Sequence, residues 1–585
     1  MPLDKKTIVS ILDEMGTLLE LQGANPFKSR AFHNASRALE GTSDDLHDLV
    51  ASGGIREIPG VGESIAKIVS DLVTKDRSTD YEELKKSFPP GVPDMLRISG
   101  LGPKKVKILF DKMKITSLDE LEEAARANRL ADLAGFGVKT EQNILKGIEA
   151  LRVRSDKHLY PAAFIPANAI LHHLKKQKGV VRAEIAGSLR RKKEVIGDID
   201  IVVSAKDSQR SAIMDAFVSH PEVQTVVGKG ETKSSVVLKA GINCDLRIVD
   251  ESEFPFALNY FTGSKEHNVE MRTRAKKFGW SLNEYGFSEI GAETKRGKAK
   301  KVVRCKDESD LYKALTLAYI PPEIREGGSE FDAAERDALP DLIEEQDIRG
   351  TFHCHTTYSD GVNSLEQMAT AAKNLGWEYL GIADHSKVAA YAGGLGEEKV
   401  KAQFKEIDEL NKKLKGFRII KGTECDILPN GDLDWSEKML ASFEYVVASV
   451  HSSFKNDEKE MTKRIVKALK NKHVTMLGHP TGRLLLSREG YPVNMIEIIN
   501  CAADYGKVIE INSHPTRLDL DWRLVKYAKE KGVMIAVNPD AHNIEGLRDV
   551  FYGVGIARKG WLEKKDVLNT RSLKDMLMSP NISRT

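Results

Sequence analysis

Two aspartates one residue apart, Asp198 and Asp200, enter a β-branched run, Ile199-Asp200-Ile201-Val202-Val203. Side chains alternate faces along a strand, so both carboxylates project the same way. Side by side they repel, and each is driven toward protonation unless a cation sits between them. A divalent metal supplies that charge. Hard oxygen ligands with open positions for substrate phosphates suit Mg²⁺ or Mn²⁺. Upstream, Gly187-Ser188 offers backbone N–H groups and a hydroxyl to a phosphate, and Arg190, Arg191, Lys192 and Lys193 add positive charge. Asp245, alternating with Cys244 and Leu246, can complete a carboxylate triad from a neighbouring strand. Metals on Asp198, Asp200 and Asp245 would activate an attacking hydroxyl and neutralise a leaving pyrophosphate, with Asp245 placed to take the proton. A lone Asp-x-Asp is as well explained by a solvated strand end. Joined to Gly-Ser and a third Asp, it reads as a nucleotidyltransferase metal site.

A second chemistry lies beyond residue 345. Short apolar runs alternate with helical stretches, the pattern of parallel βα units, and polar residues stand where each run ends. Ile348–Phe352 leads to His353 and His355, Tyr379–Ala383 to Asp384 and His385, and Phe417–Gly422 to Glu424 and Asp426. Tyr445–Val450 leads to His451, Val474–Gly478 to His479, Val508–Ile511 to Asn512 and His514, and Met534–Val537 to Asp540 and His542. In a βα barrel these strand ends ring one face, where sites are built. A single histidine there is more often packed or solvated than a ligand; seven at equivalent ends point to a multi-metal site. Imidazoles with a few carboxylates suit Mn²⁺, Zn²⁺ or Fe²⁺ better than Mg²⁺, and bridged metals would support phosphoester hydrolysis.

The elements that must position these groups divide a 585-residue chain into three or four domains. Residues 1–150 read as helical, with three repeated turns: Ile58-Pro59-Gly60-Val61-Gly62, Ile98-Ser99-Gly100-Leu101-Gly102 and Leu133-Ala134-Gly135-Phe136-Gly137. Each precedes an amphipathic pattern, so each reads as helix, tight turn, helix. The glycines allow close approach to a ligand, and the N–H groups that open the second helix favour a phosphate. Lys104 and its neighbours sit nearby. From 180 to 250 the texture turns to strands at Ala183–Ser188, Ile199–Ser204, Ser235–Lys239 and Cys244–Val249. Residues 321–345, with Pro321-Pro322 and Gly327-Gly328, read as a linker holding a short acidic helix near Asp332–Asp341. Lys+Arg against Asp+Glu is 31 to 22 over residues 151–325, while the flanking parts are mildly acidic, so the polyanion-binding centre is expected there. Five scattered cysteines and the lack of any ~18-residue apolar run fit a cytoplasmic protein without a membrane span.

Tyr260-Phe261-Thr262-Gly263-Ser264, followed by Asn268, Arg272 and Asn283-Glu284-Tyr285, completes a specific pattern. With Gly187/Ser188 and the aspartate triad, it resembles a family X DNA polymerase of the polymerase beta type over roughly residues 1–320. The later histidines and carboxylates resemble a PHP (polymerase and histidinol phosphatase) domain. The resemblance implies a multidomain fold: an α-helical helix-hairpin-helix N-terminal region, an α+β nucleotidyltransferase palm with a small thumb-like domain, then a distorted βα (TIM-like) barrel. The expected boundaries are 1–80 and 81–150 for the DNA-gripping modules, 151–255 for the palm, 256–320 for the nucleotide- and template-contacting domain, and 346–575 for the barrel.

It further implies that Gly187, Ser188 and Arg191 hold the triphosphate, that Tyr260, Phe261 and Gly263 lie against the sugar, and that Asn268 touches the base edge. Arg272 would enter the template minor groove, and Gly60, Gly62, Gly100, Gly102, Lys104, Gly135 and Gly137 would grip the DNA backbone. In the barrel, Glu424 would bridge two metals, with His353, His355 and Asp540 on one and His451 and His479 on the other. Asp360, His385 and His542 would hold a third. The implied protein is a monomeric, nucleoid-associated gap-filling polymerase acting on gapped or primer-template DNA and dNTPs. Its 3′–5′ exonuclease, or an abasic-site endonuclease, would act at 3′ ends. Two departures stand out: Asn243 where the family carries Arg, and Ile68, beside Lys67, where lyase-active members carry Lys. A non-templated nucleotidyltransferase, or a repair scaffold with inactive sites, would share parts of this pattern.

Overall fold

A computed structural model describes residues 5–40, 46–58, 60–89, 91–96, 98, 100–130, 133, 135–155, 157–290 and 303–578. The chain forms two compact units, 1–156 and 157–585. Pro59, Ser99 and Ala134 of the repeated turns lie outside the described residues.

The first unit is helical. After Gly62, the helix Glu63–Lys75 buries Ile65, Ala66, Ile68, Val69, Leu72 and Val73, one stripe of an amphipathic helix. The helix Pro103–Met113 follows Gly102, and Val138–Ser155 follows Gly137. The three turns close alike: Val61 N–H donates to Ile58 O at 3.0 Å, Leu101 to Ile98 at 3.0 Å and Phe136 to Leu133 at 2.9 Å.

In the second unit a five-stranded sheet carries Asp198–Ala205 beside Asn243–Val249. Ile199, Ile201 and Val203 face a core shared with the helix Tyr160–Lys175. The strand expected to reach Ser188 ends at Ile185, because Gly187 turns the chain with φ +63° into the short helical segment Gly187–Arg190. A further strand, Val223–Lys229, forms the far edge; its side chains are mostly exposed, which hides it from an apolar-run reading.

Residues 303–342 build a separate core with Phe256, Met271 and Phe287. The segment read as a linker is packed: Ile324, Phe331, Ala334, Leu342 and Ile343 are buried, and Arg325 is fully enclosed. Its acidic helix spans Glu330–Glu335, slightly N-terminal to the expected position. Pro and Gly punctuate a packed connection as readily as a loose one.

Seven parallel strands follow in sequential order, from Gly350–Thr351 to Ile535–Asn538. A parallel bridge between Cys354 and Ala541 joins the first to the last, with His355 N–H donating to Ala541 O at 2.8 Å. The barrel therefore closes at the end where the histidines emerge. No helix among the described residues is long and apolar enough to cross a membrane.

Candidate functional site

In the five-stranded sheet, parallel register sets Asp200 directly opposite Asp245 and Asp198 opposite Asn243. Burial, reinforced by the charges of Asp198 and Asp245, raises the Asp200 carboxyl to about 7, with Lys233 and Arg247 opposing the shift. Lys233 Nζ pairs with Asp245 Oδ2 at 2.6 Å. Three mutually repelling carboxylates, offset only in part by Lys233 and Arg247, are the donor set a hard divalent cation fits. A Cβ at residue 187 would strike the Asp200 carboxylate, so only glycine lets the turn pass there.

Around this triad the predicted nucleotide residues gather. Ser188 lies on the turn after Gly187. Arg190 donates to Thr262 Oγ1 at 2.7 Å and pairs with Glu308 at 2.5 Å. Arg191 Nε donates to Glu326 at 3.1 Å, and its Nη1 donates to Thr262 O. Tyr260 and Phe261 pack edge to face at 5.2 Å, with the Arg247 guanidinium 4.7 Å over Phe261. Gly263 has φ +71° and lies against Arg191. Asn268 Nδ2 donates to Tyr260 O at 2.7 Å, and Arg272 stands one turn further along the same helix, Lys265–Lys277.

The barrel site is enclosed. Glu424 is the hub: His451 Nε2 and His479 Nε2 lie 3.2 and 2.9 Å from its Oε1, and His385 Nδ1 lies 2.9 Å from its Oε2. His353 Nε2 stands 3.4 Å from Glu424 and 3.6 Å from Asp540, while His355 Nε2 reaches Asp540 at 3.1 Å. At the rim, Asp360 Oδ2 meets His385 at 3.4 Å and His542 at 3.3 Å. Four overlapping groups result: His353/His355/Asp540, His353/Glu424/His479, His385/Glu424/His451 and His355/Asp360/His385/His542.

The residues fit metal. His353 Nε2 and His355 Nδ1 are buried yet make no hydrogen bond, although carboxylate oxygens surround them. A lone pair aimed at carboxylates from within a core is the arrangement a bound cation satisfies. Burial alone would raise Glu424, but the imidazoles of His451, His385 and His353 hold its carboxyl well below the ordinary value. His514 lines a cavity of about 340 Å³ with Asp540, His542 and Asp549, and Arg517 Nε stands 3.6 Å from Asp540.

Sequence reasoning missed Glu510. It is fully buried, accepts from His353 Nδ1 at 2.7 Å, from the His479 backbone N–H at 2.9 Å and from Asn538 Nδ2 at 2.9 Å, and so orients the His353 imidazole and holds the backbone that carries His479. Its signal was a lone carboxylate inside Val508-Ile509-Glu510-Ile511. Lys233 was also missed, because only strand pairing brings it beside Asp245.

In the first unit, Gly60, Gly100 and Gly135 have φ of +91°, +86° and +85°. A Cβ at Gly62, Gly102 or Gly137 would meet nothing within 4 Å, so internal packing does not demand those glycines. Lys104 is exposed beside the second turn. Ile68 belongs to the core, while the neighbouring Lys67 is 71% exposed and lies 3.7 Å from Asp80.

An open aspartate triad beside a Gly-Ser turn, joined to a barrel holding a buried histidine–carboxylate cage, defines a nucleotidyltransferase coupled to a metal-dependent phosphoesterase. Family models match in the same order: a helix-hairpin-helix domain at 4–78, a SAM-like helix-hairpin-helix tandem at 92–150, the DNA polymerase beta palm at 165–239, the DNA polymerase beta thumb at 257–326 and a PHP domain at 351–514. The DNA polymerase/3′-5′ exonuclease PolX of Bacillus subtilis (strain 168) is 38% identical over 98% of both chains. A probable phosphatase of Thermoanaerobacter sp. (strain X514) is 31% identical over 32% of this chain and 77% of its own, and one of Clostridium acetobutylicum is 26% identical over 33% and 78%. The chain belongs to the PolX family of DNA polymerases, the family X enzymes that carry a PHP domain.

Proposed function

We propose that this chain fills gaps in damaged DNA as a template-directed polymerase and trims 3′ ends through its barrel as a 3′–5′ exonuclease, with cleavage at abasic sites as a second outlet. The observation that carries this reading is the presence of two unlike cation sites in one chain, an open triad of oxygens and a closed cage of imidazoles. Asp198, Asp200 and Asp245 would hold Mg²⁺ or Mn²⁺, which supplies charge neutralisation for the triphosphate and the entering hydroxyl. Asp245 takes the proton of the primer hydroxyl, Ser188 and Arg191 hold phosphate oxygens, and the Tyr260–Phe261 pair crowds the sugar 2′ position. The barrel ligands would hold two or three Mn²⁺, Zn²⁺ or Fe²⁺ ions, which polarise a phosphodiester for hydrolysis. Glu510 holds the His353 ring and the His479 backbone in place.

The hairpins grip phosphates, since their open glycine turns offer backbone N–H groups and Lys104 adds a point charge. The chain works as a cytoplasmic, nucleoid-associated monomer. The test is gapped DNA carrying a 3′ mismatch, incubated with Mg²⁺ or Mn²⁺ with and without dNTPs. Excision without dNTPs, then templated filling when they are added, is expected. Incorporation that ignores the template sinks the reading.

A further inference from the structure

The carboxylate of Glu326 is shared by three cations. Arg191 Nε lies 3.1 Å away, Lys193 Nζ lies 3.5 Å away, and Lys559 Nζ also contacts it. Lys559 ends the barrel helix Val550–Lys559, more than 200 residues from Glu326 in sequence. Its side chain is fully buried beneath the Trp522 ring at 4.6 Å. Besides Glu326, its ammonium donates to Arg191 O and Glu323 O, each at 3.1 Å. All three ammonium protons are therefore placed, which a buried charge requires if its desolvation is to be offset.

The other end of this chain of contacts is the nucleotide site. Two of the three Arg191 nitrogens are occupied, Nε by Glu326 and Nη1 by Thr262 O, and the guanidinium lies along Gly263. Among the described residues Nη2 has no partner, so one edge of a fixed fork remains for a ligand. Holding a planar guanidinium in place before binding removes rotamer entropy that would otherwise oppose a phosphate contact.

We infer that Lys559, a residue of the phosphoesterase barrel, is a positioning residue for the polymerase's nucleotide site, acting through Glu326 on Arg191. This rests on the reading of Arg191 as a triphosphate contact. The barrel then serves synthesis as well as hydrolysis: it supplies the cation that fixes Glu326, and Glu326 in turn fixes the Arg191 guanidinium. A merely structural lysine would instead weaken both activities together.

The test compares steady-state dNTP incorporation on gapped DNA for Arg191→Ala, Lys559→Met, Glu326→Gln and the Glu326→Gln/Lys559→Met double variant, with 3′-end hydrolysis measured on the same full-length proteins. Lys559→Met is expected to raise the KM for dNTP about tenfold, with kcat changed less than about twofold and hydrolysis unchanged. In the Glu326→Gln background the same substitution should change KM by less than about twofold, because the pathway is already cut. An unchanged KM in Lys559→Met, or equal effects in both backgrounds, overturns the inference. If Arg191→Ala leaves KM unchanged, the reading of the triphosphate contact fails instead. If Lys559→Met loses hydrolysis through misfolding, Glu326→Gln alone decides: a raised KM with intact hydrolysis supports the coupling, and an unchanged KM ends it.

Discussion

The two candidate cation sites of this chain are built on opposite principles. In the palm, carboxylates stand on two neighbouring strands, Asp198 exposed and Asp200 and Asp245 half-buried, and Lys233 balances Asp245. In the barrel, His353, His355, His385, Glu424, His479 and Asp540 are buried, and neighbouring carboxylates orient the rings. Among the described residues, ligand atoms gathered within 4.8 Å of one another occur only in the barrel. An oxygen site left open would be completed by the substrate's phosphates. A preformed imidazole cage would bind its ions without help from the substrate. The contrast matches the two directions of the chemistry, since a triphosphate brings both charge and ligands whereas a phosphodiester brings few.

The sharpest way to break the contrast is reciprocal removal. Asp198→Ala should lower templated synthesis by about a thousandfold or more while 3′-end hydrolysis persists. His353→Ala should do the reverse, both read on gapped DNA with each protein's thermal unfolding as a fold control. Loss of both activities in either folded variant would mean that the sites are not independent. Next in size is Glu510→Gln, which keeps the shape of the side chain but removes the charge behind the His353 ring. Barrel metal affinity should fall about 10–100-fold. Dialysis against graded chelator, followed by metal analysis, should show ions leaving this variant at lower chelator than the parent. Polymerase activity after Mg²⁺ is restored should stay at the parental level.

Much of both sites is legible in the amino-acid sequence, because strand alternation and strand-end placement are local rules. Asp198 and Asp200 share a face by alternation alone, and the barrel ligands stand where apolar runs stop. Hidden features depend on contacts far apart in sequence. Glu510 sits inside an apolar run, so by pattern it belongs to the core, and only folding places it behind two histidines. Lys233 reaches Asp245 by antiparallel pairing whose register no local pattern records. The edge strand Val223–Lys229 lacks a buried face and so lacks the period that announces a strand. Residues 321–345 carry the punctuation of a loose connection, yet they fill a core because Ile324, Phe331 and Leu342 find partners from residues 256–317.

Lys233 offers the smallest effect and the finest test of the open-site idea. Its ammonium lies where an entering cation must compete for Asp245, and it is 41% exposed, so solvent weakens the pairing. Exposed pairs of this kind contribute about 0.2–1 kcal/mol. Lys233→Met should therefore lower the Mg²⁺ concentration for half-maximal synthesis by about two- to fivefold. The direction follows from charge, since one positive neighbour fewer leaves Asp200 and Asp245 more attractive to a divalent ion. Barrel metal content should not move, because that cage's imidazoles pair with its own carboxylates. A raised Mg²⁺ requirement would mean that Lys233 serves the substrate phosphates rather than standing in for the metal, and the palm would then be less open than the exposed Asp198 indicates.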